Sequence, residues 1–322
     1  MMSFILRRLI QTLIVIGALS FFCFYLMSLM PGDPVDMMIS SNPNMTSEDV
    51  SRLRELYGLD QPVYKRYLNW VSTLAQGDLG YSRTYRVPVT EILGPRLWNT
   101  FILSGLSLIF SLLVAIPLGV FAALNQGKKL DYFINFFAFA GISLPSFWLA
   151  IVLILIFAVQ IPLFPASGTM SVGTDMTSFE GFFDRIKYLI LPTLSLSFMS
   201  IGSFVRFTRS SMLEAMRNDY IRTARAKGLS RSRVLIVHGF RNALLPLITV
   251  VALSFSSLFS GAVITETVFA YQGVGQLVLA SIQSNDFNVA MVSFMISVSM
   301  VLTMNLVADL LYGVADPRIT YV

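Results

Sequence analysis

Six long stretches of this sequence contain almost no charged side chain, and this feature limits the possible folds more than any other. The stretches are Leu9–Met30, Leu97–Leu124, Tyr132–Ile161, Tyr188–Val205, Ala243–Thr265 and Phe287–Gly313. A helix needs about 20 apolar residues to cross the hydrocarbon core of a bilayer. The sequence therefore predicts an all-α polytopic membrane protein with six transmembrane helices.

The composition of the whole chain excludes two other classes of protein. Hydrophobic residues make up 55% of the 322 residues and charged residues 13%, which fits neither a water-soluble fold nor a disordered chain. The single cysteine, Cys23, lies in the first apolar stretch. It has no partner for an internal disulfide and is interpreted as a small hydrophobic residue.

The distribution of Lys and Arg predicts the orientation in the membrane. Of these residues, 14 lie on the side of the termini and 9 on the opposite side, so the positive-inside rule places both termini in the cytoplasm. The first stretch follows Arg7 and Arg8 as a signal peptide does. Its 22 uncharged residues exceed the roughly 7–15 of a signal-peptide apolar core, which favours an uncleaved anchor.

These predictions divide the chain into four parts. Residues 1–30 form the N-terminal transmembrane helix, and residues 31–96 an extracytoplasmic helical insertion. Residues 97–313 form a core of five transmembrane helices, which includes a cytoplasmic segment at 206–242. Residues 314–322 form a cytoplasmic tail.

The insertion at 31–96 shows helical spacing of apolar residues in Thr46–Tyr57 and Val63–Leu74, with turn signals at Gly58, Gly77 and Gly80. It contains 8 acidic and 7 basic residues. Two interpretations stay open: a surface for an external partner, and a simple linker.

The cytoplasmic segment 206–242, called here the basic segment, contains nine basic and two acidic residues. The positive-inside rule explains the sign of this charge without any further function. The pattern is more specific, because Asp219–Lys227 is typical of a short helix that Asp219 caps or stabilises by its charge. Gly228 suits a left-handed helix end, and Ser230 the N-cap of a second helix. In that second helix, apolar residues recur at three-residue steps, namely Val234, Val237 and Phe240.

Several motifs give this chain a resemblance to a known family. They include GDLG at 77–80, LPSFW at 144–148, PASG at 165–168, DYIRTARAKGL at 219–229 and HGFRNALLP at 238–246. The chain resembles the first of the two permeases in the dipeptide, oligopeptide and nickel branch of the binding-protein-dependent ABC importers. Only Ala224 and Gly228 match the general coupling-loop pattern of such importers. One departure is Gln272-Gly273, where this family usually has Pro-Gly, and it predicts a looser external loop.

The resemblance implies a type I ABC importer permease fold in the bacterial cytoplasmic membrane. It implies four partner subunits, namely a second homologous permease, two cytoplasmic ABC ATPases and an extracytoplasmic substrate-binding protein, in addition to the lipid bilayer. The chain itself is then not an enzyme and binds no cofactor or metal, since its partners use ATP and magnesium, and nucleic acid has no role. The residues expected to couple to the ATPases are Glu214, Asp219, Tyr220, Thr223, Ala224, Ala226, Lys227, Gly228, Val234 and Phe240.

Other functional classes find less support in the sequence. The chain has no phosphate-binding loop of the Gly-x-x-x-x-Gly-Lys-Ser/Thr type, and its nearest approach is Gly127-Lys128-Lys129. The only histidine, His238, lies among basic residues, where it is interpreted as a surface imidazole. An autonomous ion-coupled transporter would depend on Asp309, the only acidic residue in a predicted span. Peptides are the expected cargo, with nickel or another small solute as the alternative.

The translocation path is the part that the sequence defines least. Pro145, Phe147, Ser195, Ser197 and Ser200 are the candidates to line it. Close helix packing, with hydroxyl groups bonded to the backbone, explains the serines equally well.

Overall fold

The computed structural model describes residues 2–29, 35, 39, 45–56, 58–175 and 178–315, except for some side chains in the first and in the last two long helices. The helices in chain order are α1 (Met2–Ser28), α2 (Ser47–Leu56), α3 (Val63–Ala75), α4 (Val89–Leu124), α5 (Lys129–Ser143), α6 (Ser146–Ile154), α7 (Phe179–Arg217), α8 (Asp219–Ala226), α9 (Arg231–Arg233), α10 (Arg241–Val268), α11 (Val274–Gln283) and α12 (Phe287–Ala315). Two π-helical turns, Leu155–Gln160 and Val234–Phe240, follow α6 and α9. Because the described ranges contain one isolated bridge and no strand, the all-α class is confirmed.

Four of the described helical stretches are long and apolar enough to cross a membrane: Leu6–Ser28, Val89–Leu124, Phe179–Arg217 and Phe287–Val307. The pair formed by α5 and the helix from Ser146 to Gln160 adds a fifth candidate if the two halves make one span. The predicted run Ala243–Thr265 lies inside the 28-residue helix α10, many of whose side chains are outside the described set. The number of six spans and their orientation stay predictions.

The predicted run Tyr132–Ile161 is not one straight helix. α5 ends at Ser143, α6 begins at Ser146, and the two axes differ in direction by 101°. The cause is Pro145, which has no backbone N–H and disfavours a helical conformation in the residue before it. Leu144 accordingly has an extended backbone, with φ −82° and ψ 130°.

Helix α7 is much longer than the apolar run Tyr188–Val205 that predicted it. It has 39 residues and starts after Ser178, whose hydroxyl accepts a hydrogen bond from the backbone N–H of Gly181. It continues past Arg206 to Arg217. Residues 206–217 of the basic segment are therefore the end of a long helix, while the separate surface elements begin at Asp219.

The chain divides into two compact units, one made of residues 1–96 and 277–299 and the other of residues 97–276 and 300–322. In the first unit, α1 packs against α3. The Ser20 and Tyr67 hydroxyl groups are 2.7 Å apart, and Phe24 packs edge-on against Tyr67. The Asp286 carboxylate accepts hydrogen bonds from the Ser82 hydroxyl group at 2.6 Å and from the Thr84 backbone at 3.0 Å.

Two expectations for the insertion are confirmed in that unit. Helices α2 and α3 match the predicted runs Thr46–Tyr57 and Val63–Leu74 to within about a residue or two at each end. The three predicted turn glycines, Gly58, Gly77 and Gly80, all have positive φ. The division of the chain into four parts remains a prediction, as does the position of 31–96 outside the membrane.

In the second unit, α7 packs against α5, α6 and α10, and glycines allow the closest of these contacts. A Cβ atom on Gly202 of α7 would overlap the carbonyl oxygen of Ala138 in α5, and one on Gly141 of α5 would lie 2.9 Å from the carbonyl oxygen of Phe198. The backbones of α5 and α7 thus touch almost directly. Small residues give helices this kind of contact in membranes, where the hydrophobic effect does not drive them together.

The loop that connects α10 to α11 is held by a buried carboxylate. Glu266 accepts a hydrogen bond from the Thr100 hydroxyl group at 2.6 Å and another from the Gln276 backbone at 3.1 Å. The Gln272 carbonyl oxygen accepts one from the Asn99 amide at 2.7 Å. The expectation of a looser loop is therefore wrong, because these hydrogen bonds hold the segment in place without a proline at position 272.

A glycine substitution tests the contact between α5 and α7. Gly202→Ala is expected to lower the free energy of unfolding by about 1–3 kcal/mol, because the new methyl group forces two packed backbones apart. The measurement is thermal unfolding of the purified chain in detergent micelles.

The matched control is Gly105→Ala in α4, where no atom lies within 4 Å of the new Cβ. It is expected to be neutral or to stabilise the helix by up to about 1 kcal/mol. Equal Tm values for the two variants would contradict the proposed contact.

Candidate functional site

The surface around α8 is the candidate functional site, and two buried apolar residues attach this helix to the rest of the second unit. Ile221 and Ala224 are buried against Val234, with Met216 of α7 and Leu229 beside them. Asn218 separates α7 from α8 because its backbone is extended, with ψ 153°. The eight-residue helix therefore has one face fixed against its neighbours and the other exposed.

The exposed face contains most of the residues that the sequence singled out for coupling. Asp219, Tyr220, Thr223, Ala226, Lys227 and Gly228 are exposed, as is Glu214 near the end of α7. Asn218 occupies the N-cap position of α8 and Asp219 follows it in the first turn, so Asp219 acts through its charge on the helix dipole and not as the cap. Its contact with Arg222 is 3.5 Å long and both side chains are more than four-fifths exposed, which contributes little stability.

Gly228 ends this helix as the sequence predicted. Its φ is +73°, and the Leu229 N–H donates back to the Ala224 carbonyl oxygen. Ser230 occupies the N-cap position of α9, but its side chain makes no cap hydrogen bond. The two helical elements joined by a left-handed glycine are therefore confirmed, while the hydroxyl cap is not.

The predicted apolar stripe at Val234, Val237 and Phe240 is wrong. Residues 234–240 form a π-helical turn, in which hydrogen bonds join residues five apart and three-residue steps drift around the helix. Val234 is buried and Val237 is 45% exposed, whereas Phe240 packs against the cluster of Met212, Ala215 and Ala243. The buried face is continued by Gly239, where a Cβ would lie 2.9 Å from the Met216 sulfur.

A groove of about 550 Å³ lies beside α8. Its apolar floor includes Ala123, Met216 and Val234, and three arginines stand around it, namely Arg217, Arg225 and Arg231. The groove is formed by the ends of α4 and α7 together with α8 and the π-helical turn. This arrangement is suited to hold a protein element with apolar and acidic side chains.

A buried ion pair fixes α7 to the start of α5, and sequence reasoning missed it. Arg209 donates two hydrogen bonds to the Asp131 carboxylate, both at 2.7 Å. The Asn135 amide and the Gly127 backbone N–H donate to the same carboxylate. The only signal in the sequence was an acidic residue in the first turn of a helix that is otherwise apolar.

Comparison with known proteins gives a consistent result over the whole chain. Residues 115–321 match the family described as binding-protein-dependent transport system inner membrane component, and residues 1–104 match the N-terminal model of such membrane components. The chain is 39% identical to the oligopeptide transport system permease protein AppB of Bacillus subtilis, over all of both chains. It is 37% identical to the dipeptide transport system permease protein DppB of Escherichia coli K12, over all of this chain and 99% of that protein. The chain belongs to this family.

The solved structures agree with this assignment at the level of the fold. The structure superposes on the methionine ABC transporter MetNI in an inward facing conformation with a TM-score of 0.56 and 16% identity, over 70% of this chain and 97% of that one. The protein is thus a permease of a bacterial inner membrane transport system and not an enzyme.

Two of the five candidate path residues of the permease are buried and bonded to backbone. Ser195 is buried and donates to the Ser146 carbonyl oxygen, and Ser197 is buried and donates to the Leu194 carbonyl oxygen. Pro145 begins α6 and Phe147 is 48% exposed, while Ser200 is half-buried. The bonds of the two buried serines fit the packing interpretation, and a role in the path stays a prediction. The side chain of Asp309, on which an ion-coupled transporter would depend, lies outside the described residues.

The ion pair provides a test of how α7 is held. Asp131→Asn is expected to lower the free energy of unfolding by about 3 kcal/mol, because it leaves a largely buried guanidinium unpaired. This is the lower end of the usual range, since the Arg209 side chain is still 25% exposed. Thermal unfolding of the purified permease gives the value.

The double variant Asp131→Asn with Arg209→Gln is expected to recover part of the lost free energy of unfolding. Asp219→Asn, which removes the carboxylate of the exposed pair, is expected to cause no loss of stability. If the losses of the two single variants simply add in the double variant, the pair does not act as a unit.

Proposed function

We propose that this permease is a membrane-spanning subunit of an ATP-driven importer of dipeptides and oligopeptides in the bacterial cytoplasmic membrane. The observation that supports this most is the likeness at 37–39% identity, along the full chain, to permease proteins named for oligopeptide and dipeptide transport. The chain pairs with a second homologous permease, two cytoplasmic ATPases and an external substrate-binding protein.

In this proposal the permease has six spans, with α10 and the bent pair α5–α6 each counted as one. Both termini lie in the cytoplasm, and so does the basic segment. The insertion at 31–96 faces the opposite side, where the binding protein delivers its ligand. The ATP and magnesium are bound by the ATPases, and the permease binds neither.

The exposed face of α8 is the part that docks on an ATPase subunit. Its buried face supports this role, because Ile221 and Ala224 fix α8 to Val234, and the π-helical turn that follows contacts both α7 and α10. A force applied to α8 therefore reaches two long helices through packed side chains. ATP binding closes the ATPase pair and favours an outward-open permease, and hydrolysis restores the inward-open one.

Thiol labelling tests the orientation with two exposed positions of the second unit. In a Cys23→Ser background, Val172→Cys is expected to react with a membrane-impermeant maleimide in intact spheroplasts, because Val172 is fully exposed on the proposed outer side. Ala226→Cys, exposed on α8, is expected to react only after permeabilisation.

The reverse labelling pattern would contradict the orientation. In membranes with the whole transporter, Ala226→Cys is further expected to crosslink to an ATPase subunit and Val172→Cys is not.

Substitution of Gly228 tests whether the end of α8 matters for coupling. Valine at φ +73° costs about 1–2 kcal/mol in backbone strain, which is expected to lower ATP-driven uptake by about fivefold or more. The chain offers no steric obstacle, since no atom lies within 4 Å of a Cβ at this position. Uptake into proteoliposomes is the readout, with the amount of inserted permease as its reference.

Gly228→Asn is the matched control, because asparagine tolerates the left-handed conformation. Gly228→Asn is expected to retain most of the uptake. Gly228→Asp has a side chain of the same shape, so the difference in uptake between these two variants measures the effect of the added charge. Full uptake by the valine variant would show that the geometry of this elbow does not serve coupling.

The cargo is tested with the complete transporter and its binding protein. Mass spectrometry of the ligand that copurifies with the binding protein is expected to show short peptides, and labelled dipeptide uptake is expected to be ATP-dependent. Nickel as the bound ligand, with nickel uptake in place of peptide uptake, would contradict the peptide assignment.

A further inference from the structure

A second cavity, of about 690 Å³, lies between α5 and α7, and the Asp131–Arg209 pair forms part of its lining. The lining combines basic, hydroxyl and aromatic groups, among them Tyr132, Phe139, Ser203, Arg206 and Phe207. Neither the proposed coupling nor the candidate path uses it.

Arg206 and Arg209 both line this cavity, but among the described residues only Arg209 is paired with a carboxylate. Asp131 neutralises Arg209 through two hydrogen bonds. Arg206 is exposed, and its guanidinium carbon lies 4.8 Å from the centre of the Phe139 ring. Within the described ranges Arg206 has no carboxylate partner. The cavity therefore contains one positive charge that is fixed by an aromatic ring and not neutralised.

The wall next to this charge is aromatic and open. Tyr132 is 70% exposed, Phe139 53% and Phe207 48%. Protein atoms of this chain leave these rings uncovered over about half their surface or more. A ligand that fills the site must therefore present an anionic group to Arg206 and an apolar group to the rings.

The position of the cavity along the helices matches the membrane interface. Tyr132 begins the apolar run of α5, three residues after Lys129, and Val205 ends the apolar run of α7, directly before Arg206. In the orientation of the proposed function this is the cytoplasmic interface, where lipid phosphates lie and where tyrosine and arginine side chains are typical. Basic pockets between helices on this side are suited to anionic lipid headgroups.

We propose that this cavity binds an anionic phospholipid of the cytoplasmic leaflet. The Arg206 guanidinium donates hydrogen bonds to the headgroup phosphate, and an acyl chain covers the rings of Phe139 and Phe207. The planar guanidinium matches phosphate oxygens better than an ammonium group does. A free phosphate leaves the aromatic wall uncovered, so the amphipathic ligand is the better fit. This inference rests on the proposed orientation.

Native mass spectrometry of the intact transporter complex in detergent tests the site. Phosphatidylglycerol and phosphatidylcholine with identical acyl chains are titrated separately, so that only the headgroup differs. The wild-type complex is expected to bind phosphatidylglycerol more tightly, and Arg206→Gln to reduce that affinity about fivefold. A smaller reduction is expected for phosphatidylcholine, because its choline ammonium group offsets the charge of its phosphate. Arg206→Lys is expected to lose less, because it keeps the charge.

The matched control is Arg233→Gln, which removes an exposed basic residue of the same segment outside the cavity and is expected to leave both affinities unchanged. An equal affinity of the wild type for the two lipids, or an equal effect of the two glutamine variants, would overturn the proposal. Displacement of bound lipid by inorganic phosphate would show a site for small anions and would also overturn it.

The remaining competitor is the second permease, which could cover the same wall. In the Cys23→Ser background, efficient crosslinking of Phe139→Cys to the second permease overturns the lipid site, and its absence supports it. Peptide uptake by the same complexes separates this proposal from the function. Uptake without a headgroup preference refutes only the lipid site, whereas a headgroup preference without uptake refutes only the transport proposal.

Discussion

The contact between α5 and α7 is the constraint on which the rest of the second unit depends. Gly141 and Gly202 bring the two backbones together, and any side chain there would meet a carbonyl oxygen of the other helix. The Asp131–Arg209 pair closes the same contact at the start of α5 with two hydrogen bonds. Backbone packing and charge-assisted hydrogen bonds thus hold the same two helices together. Within a membrane the hydrophobic effect contributes little to the association of helices.

This fixed position of α7 gives the surface elements something to act on. Met212 and Met216 of α7 face the π-helical turn that supports α8, so the small helix, the turn and the long helix form one packed route. The exposed side of α8 is free to meet another protein, whereas its buried side cannot move without its neighbours. A short helix with this division between its faces suits the transfer of a conformational change.

The sequence predicted those features that depend on local chemistry. Glycine at 228 and the apolar spacing of α2 and α3 each determine the backbone within a few residues, and the structure confirms them. The effect of proline at 145 is equally local, but the predicted run Tyr132–Ile161 did not include the break that it causes. Features that depend on distant residues were not predictable: the pairing of Asp131 with Arg209, 78 positions apart, and the network around Glu266. The stripe at Val234 failed for a third reason, because a π-helical turn changes the helical period and no residue type marks its occurrence.

The account depends on energy that enters through α8 from separate ATPases, and reconstitution without those subunits tests this most directly. The two permeases are placed in proteoliposomes under a proton or sodium gradient, and uptake of a labelled peptide is followed before and after addition of the ATPases, ATP and the loaded binding protein. The account predicts no uptake above that of empty liposomes in the first stage and ATP-dependent uptake in the second. Gradient-driven uptake in the absence of the ATPases would contradict it.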